Sequence, residues 1–117
     1  MKHSSGKPTK AQTLHFGKLQ SFGCCACRKR GYWRATEIHH LVDKGTRALS
    51  GGHDAVIPLC AWHHRGIPDT GVRTAVMRDV LGPSMALEKR AFVEEFGTER
   101  ELLWWVNAEL QRGQKLQ

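Results

Sequence analysis

The sequence predicts a small α+β domain: one β-hairpin followed by a run of helices. Three observations carry that expectation. Two short runs rich in branched residues, Arg34–His39 and Ala55–Leu59, have the alternation and punctuation of strands. The pairs Cys24-x-x-Cys27 and Cys60-x-x-His63 bracket those runs. Beyond Pro68 the chain turns to helical periodicity, with stop glycines at Gly82 and Gly97.

The 117 residues make one domain, whose core is modest enough for a metal staple to matter. Residues 1–12, with Lys2, Lys7, Lys10 and Pro8, read as a flexible basic arm, 13–112 as the folded domain and 113–117 as a tail. There are 18 Lys+Arg against 11 Asp+Glu, a net charge of +7, which favours a polyanionic partner without choosing between nucleic acid and an acidic membrane face. No stretch has the apolar length of a transmembrane helix. MKHSSGKPTK has no apolar core behind its charges, so it does not read as a secretory signal. The expected compartment is the cytoplasm, where thiols stay reduced.

Along the chain, Thr13–Phe22 predicts a helix with Leu14, Leu19 and Phe22 inward, stopped by Gly23. The first strand follows the cysteine knuckle. Lys44–Gly52, with three glycines, reads as a loop. Pro58 marks the second strand as an edge or a strand end. A helix starts at Cys60 and lasts about two turns before Pro68. Three more helices are expected, over Thr70–Leu81, over Ser84–Phe96 with Met85, Leu87, Ala91, Phe92 and Phe96 as apolar positions, and from the Thr98–Glu101 capping box to about Arg112. Leu102, Leu103, Trp105, Val106 and Leu110 are core residues of the last one. Packing is the favoured role for at least one of Trp104 and Trp105, with base stacking as the alternative.

Cys24, Cys27, Cys60 and His63 form two ligand pairs of the kind that tetrahedral zinc brings together. Cys25 is left over and should face the core as a small buried thiol. Because thiolates bind metal only when deprotonated and the site forms only in the folded chain, this structural zinc should be a condition of folding.

The doublets His39–His40 and His63–His64 are then each split between two jobs. In a helix Cys60 and His63 share a face, and His64 is turned away by roughly 100° per residue. In a strand His39 and His40 point to opposite sides. One histidine of each doublet is thus free for a second, open site, the arrangement that phosphodiester hydrolysis wants: a cation on the phosphate and a base for water.

The stretches SFGCCACRKRG (21–31), EIHHLVDKGTRA (37–48), IPLCAWHHRG (57–66) and FVEEFGTERELL (92–103) resemble the HNH endonuclease superfamily, within it the phage recombination enhancement function (Ref) proteins, which are RecA-dependent nucleases. The resemblance implies a ββα-metal core and a metal-dependent DNA endonuclease linked to phage recombination. It makes His39 and His64 ligands of a catalytic divalent ion (Mg²⁺, Mn²⁺ or Zn²⁺) and His40 the general base. The family's Asn, which hydrogen-bonds that base, is replaced here by Gly52-His53-Asp54-Ala55, leaving Asp54 or His53 for its role. A third protein ligand is either absent or supplied by Asp69. Arg65 is a candidate phosphate contact, and Lys44 and Arg47 are candidate DNA contacts. DNA is the implied partner, with a RecA filament beside it and no membrane. The competing expectation is a non-catalytic, zinc-stapled DNA-binding or recombinase-interacting module of degenerate HNH fold.

Overall fold

A computed structural model describes residues 6–115 of the chain. The first five residues of the expected arm and the last two of the expected tail lie outside the described residues. Helix α1 runs Lys10–Phe22, three residues earlier than the expected start at Thr13. The reason is a capping box at Thr9: its hydroxyl accepts from the Gln12 amide while the Gln12 side chain accepts from the Thr9 amide. Leu19 and Phe22 are buried, but Leu14 is 65% exposed and does not face the core. At roughly 100° per residue, Leu14 lies about 140° around the helix from Leu19.

After α1, Gly23 turns the chain with a φ of 84° and the short helix α2 (Cys25–Lys29) carries the knuckle. Strand β1 is Glu37–His40, beginning later than Arg34 and taking in both histidines. It pairs antiparallel with β2 (Val56–Leu59) in the register Glu37↔Leu59, Ile38↔Pro58, His39↔Ile57 and His40↔Val56. With only two strands in the sheet, Pro58 costs no ladder beyond this pair. All four β2 residues are buried and all four of β1 are partly exposed. The hairpin thus has a core strand and an outward strand, and the histidines are on the outward one.

The stretch expected to be a loop holds local structure: helix α3 (Arg47–Ser50) and a 3-10 turn at Gly52–Asp54. Thr46 caps α3 by accepting from the Leu49 amide, a signal the glycine content masked. Helix α4 (Ala61–Arg65) uses Cys60 as its cap and closes on Gly66 in the left-handed region.

Helix α5 (Thr74–Leu81) starts one turn later than Thr70, and α6 (Lys89–Phe96) five residues later than Ser84. Residues before α6 are spent elsewhere: the Met85 amide donates to the His63 carbonyl and Ser84 caps Leu87 locally. Phe92 and Phe96 are buried as expected, Met85 and Ala91 are partly exposed, and Leu87 is 56% exposed. Helix α7 (Glu99–Lys115) opens on the expected capping box, Thr98 and Glu101 each accepting from the other's amide. Its Leu102, Leu103 and Val106 are buried and Trp105 and Leu110 pack against them, whereas Trp104 is 65% exposed. α1, α2 and α7 all pack against β2, which places the core between the hairpin and the helices. None of the helices among the described residues is long and apolar enough to cross a membrane.

Candidate metal centre and active site

Cys24, Cys27, Cys60 and His63 come together in the core, contributed by α2 with its cap and by α4 with its cap. Zinc–sulfur bonds of about 2.3 Å and zinc–nitrogen bonds of about 2.0–2.1 Å imply tetrahedral edges of about 3.8 Å between sulfurs and about 3.5 Å from sulfur to nitrogen. Four of the six edges match: 3.8 Å from Cys27 Sγ to Cys60 Sγ, and 3.4, 3.5 and 3.4 Å from His63 Nδ1 to the sulfurs of Cys24, Cys27 and Cys60, with all four donor atoms within 4.8 Å of one another. The four side chains fit a zinc ion.

Their surroundings suit the same ion. His63 Nε2 donates to the Leu81 carbonyl at 2.7 Å, which leaves Nδ1 as the nitrogen with a lone pair. Amides of Cys27 and His63 donate to the sulfurs of Cys24 and Cys60. Hydrogen bonds with Cys24 and Cys27 hold Cys60 far below the ordinary thiol range despite its burial, so the cluster carries a thiolate. Arg34, paired first with Asp69, also sets its positive charge beside Cys60. Cys25 is buried as expected but outside the cluster, and burial pushes its thiol well up, so it stays neutral. Trp62, between the ligands, is core, its indole N–H donating to the Gly82 carbonyl.

The doublets separate. While His63 is fully buried in the thiolate cluster, His64 turns out to meet His39, their ring centroids 4.8 Å apart at 68°. His64 Nδ1 donates to Glu37 Oε1 at 2.8 Å, and His39 Nε2 donates to Glu99 Oε2. Neither glutamate stands out in the sequence: Glu37 lies two residues before His39 in the same strand, and Glu99 is 60 residues away at the start of α7. The only sequence signal for Glu99 is its place inside the capping box. Although burial works against its charge, the His39 N–H, the Val42 amide and Lys89 keep the Glu99 carboxyl below its usual range, hence ionised.

His40 takes the other side of β1. Its Nε2 lies 2.8 Å from His53 Nδ1, and His53 Nε2 donates to the Gly6 carbonyl. Phe16 of α1 meets both rings edge-on. Because a carbonyl only accepts, a neutral His53 carries its proton on Nε2. Its Nδ1 then accepts from His40 Nε2–H, leaving His40 Nδ1 with the free lone pair. Burial first, then the charges of Arg47, His53 and His39, lower His40 to about 4. At neutral pH His40 is an uncharged base.

The remaining sequence candidates fall as follows. Asp54 does not touch His40; its carboxylate accepts from the Gln12 side chain at 2.9 Å, and His53 occupies the place beside His40. Asp69 is engaged by Arg34, while His39 and His64 pair with Glu99 and Glu37 instead. Arg65 grips both oxygens of Glu37. Lys44 and Arg47 are exposed on the segment between the strands.

No curated protein matches the sequence. A family model described as "Recombination enhancement, RecA-dependent nuclease" matches residues 8–111, which takes in all of the strands and all of the helices but the end of α7. Spanning most of the chain and both histidine doublets, that match makes the protein a member of the RecA-dependent nuclease family of recombination enhancement.

Proposed function

We propose that this protein is a metal-dependent DNA endonuclease of HNH type that hydrolyses phosphodiester bonds in recombination, alongside a RecA filament. The observation that carries the reading is the split of the two doublets: His63 into a closed thiolate cluster, His64 and His39 together on an accessible face, and His40 beside them on a different partner. A structural staple alone has no use for the second pair.

In this reading β1 and α4 form the ββα-metal core with β2, and His39 and His64 hold the catalytic divalent ion. When bound, such an ion polarises the phosphate and stabilises the leaving oxygen. His40 Nδ1 takes the proton of the attacking water as its oxygen bonds to phosphorus and the P–O ester bond breaks. His53 replaces the family's Asn by fixing which nitrogen of His40 is free. Arg47, beside His40, and Lys44 on the same segment meet the DNA backbone; Arg65, already committed to Glu37, serves the strand carrying His39 and is released to phosphate only if that pair opens.

The test is cleavage of labelled single-stranded and D-loop DNA in Mg²⁺ or Mn²⁺, with and without a RecA filament, beside a zinc-loaded His40→Ala variant. Cutting by the wild type and none by the variant is the expected result. Binding without cutting by either protein would replace this reading with a zinc-stapled binding module.

A further inference from the structure

Glu99 is the one buried carboxylate among the described residues, 6% exposed, and no Lys or Arg there forms an ion pair with it. Its direct partners are His39 Nε2 and, at 3.4 Å, the Val42 amide. The start of α7 offers partial positive charge, which offsets only part of a buried anion. His64 has the same kind of support, since its Nδ1–H is held by Glu37. Each imidazole of the facing pair therefore spends one N–H on a carboxylate and keeps one lone pair: Nδ1 on His39 and Nε2 on His64.

We infer that Glu99 is a positioning residue for divalent-ion binding: it fixes His39 as the Nε2–H tautomer, turns its ring, and adds a buried negative charge that favours a cation beside it. Glu37 does the same for His64. A carboxylate behind a metal-binding histidine raises the basicity of the other ring nitrogen, and losing one weakens metal binding by about 10- to 100-fold. The inference rests on the proposed reading of His39 and His64 as ligands. It adds a residue that joins α7, at the far end of the chain, to the site on the hairpin. The alternative is a plain structural pin between α7 and β1, which would affect folding and leave ion affinity alone.

The experiment titrates Mn²⁺ into the full chain already loaded with structural zinc, by calorimetry, for the wild type and the variants Glu99→Gln, His39→Ala and the two combined. One Mn²⁺ site in the wild type, weakened about 10- to 100-fold by Glu99→Gln with zinc content and melting temperature unchanged, is the expected result. In the His39→Ala background the Glu99 substitution should change nothing further. Wild-type affinity in Glu99→Gln overturns the inference and leaves the His39–His64 reading standing. No Mn²⁺ site in the wild type overturns both. If Glu99→Gln does not fold, ¹⁵N-histidine spectra of the wild type decide: His39 protonated on Nε2 supports the inference, and protonation on Nδ1 overturns it.

Discussion

The thiolate cluster and the histidine pair lie on either side of one short helix, yet they are built to opposite specifications. Cys24, Cys27 and His63 are 0% exposed and Cys60 2%, with their four donor atoms all within 4.8 Å of one another. The side chains of His39 and His64 are 13% and 24% exposed, and their second nitrogens are held by carboxylates rather than by core backbone. A closed donor set ties down the fold; an accessible one leaves room for something to bind. Identical residue types, adjacent in sequence, receive these different duties because α4 turns His63 inward and His64 out.

Breaking the closed side should have the largest effect. Removing zinc with a chelator, or Cys60→Ser, should unfold the domain. Structural zinc contributes about 10–16 kcal/mol in small metal domains, as much as a whole domain's net stability of about 5–15 kcal/mol. Circular dichroism with zinc analysis checks this, and a folded Cys60→Ser protein with a full zinc complement would contradict it.

On the open side the same measurements should barely move while activity collapses. His40→Ala should lower cleavage by about 10²- to 10⁴-fold, the usual worth of a general base, with zinc content and melting intact. His53→Ala should cost less, because it frees the tautomer of His40 without removing the base, and His53→Asn should recover part of the loss. Equal rates for wild type and His53→Ala would remove His53 from the site.

The smallest effect is expected where α7 grips the segment between the strands. Arg100 pairs with Asp43 through both carboxylate oxygens and also donates to the Ser50 carbonyl. Arg100 holds Asp43 below its ordinary range. Its stabilisation is therefore complete above the unfolded carboxylate value of about 4 and is lost as pH falls through the lower folded value. Asp43→Asn should cost no more than about 1 kcal/mol at pH 7, and the cost should shrink as pH falls below the unfolded carboxylate value of about 4, read from paired melts over the range in which zinc stays bound. A difference that grows on acidification would reverse the sign.

Much of the closed site is legible in the chain, because zinc knuckles have fixed local spacing: two residues lie between the ligands of each pair, set by one helical turn. The two strands, the last capping box and the buried faces of α6 and α7 follow from similarly local rules. The departures share a cause. Thr9, Thr46 and Ser84 spend their hydroxyls on local caps that move helix ends or insert α3, and short-range hydrogen bonds of that kind leave little trace in hydrophobic periodicity. The choice between His53 and Asp54 was open for another reason. Adjacent residues in a 3-10 turn diverge sharply, and which one meets β1 depends on where Phe16 and Gln12 of α1 come to lie.

By itself, then, the sequence determined the ligand set of the buried cluster, the hairpin between its halves and the opposed directions of each histidine doublet, all consequences of backbone period within a few residues. Only the tertiary structure decided that Glu99 backs His39, that Glu37 backs His64 and that His53 meets His40. Those contacts join positions as many as 60 residues apart. No local periodicity encodes them; they exist because packing around β2 brings α1, α7 and the hairpin to one face.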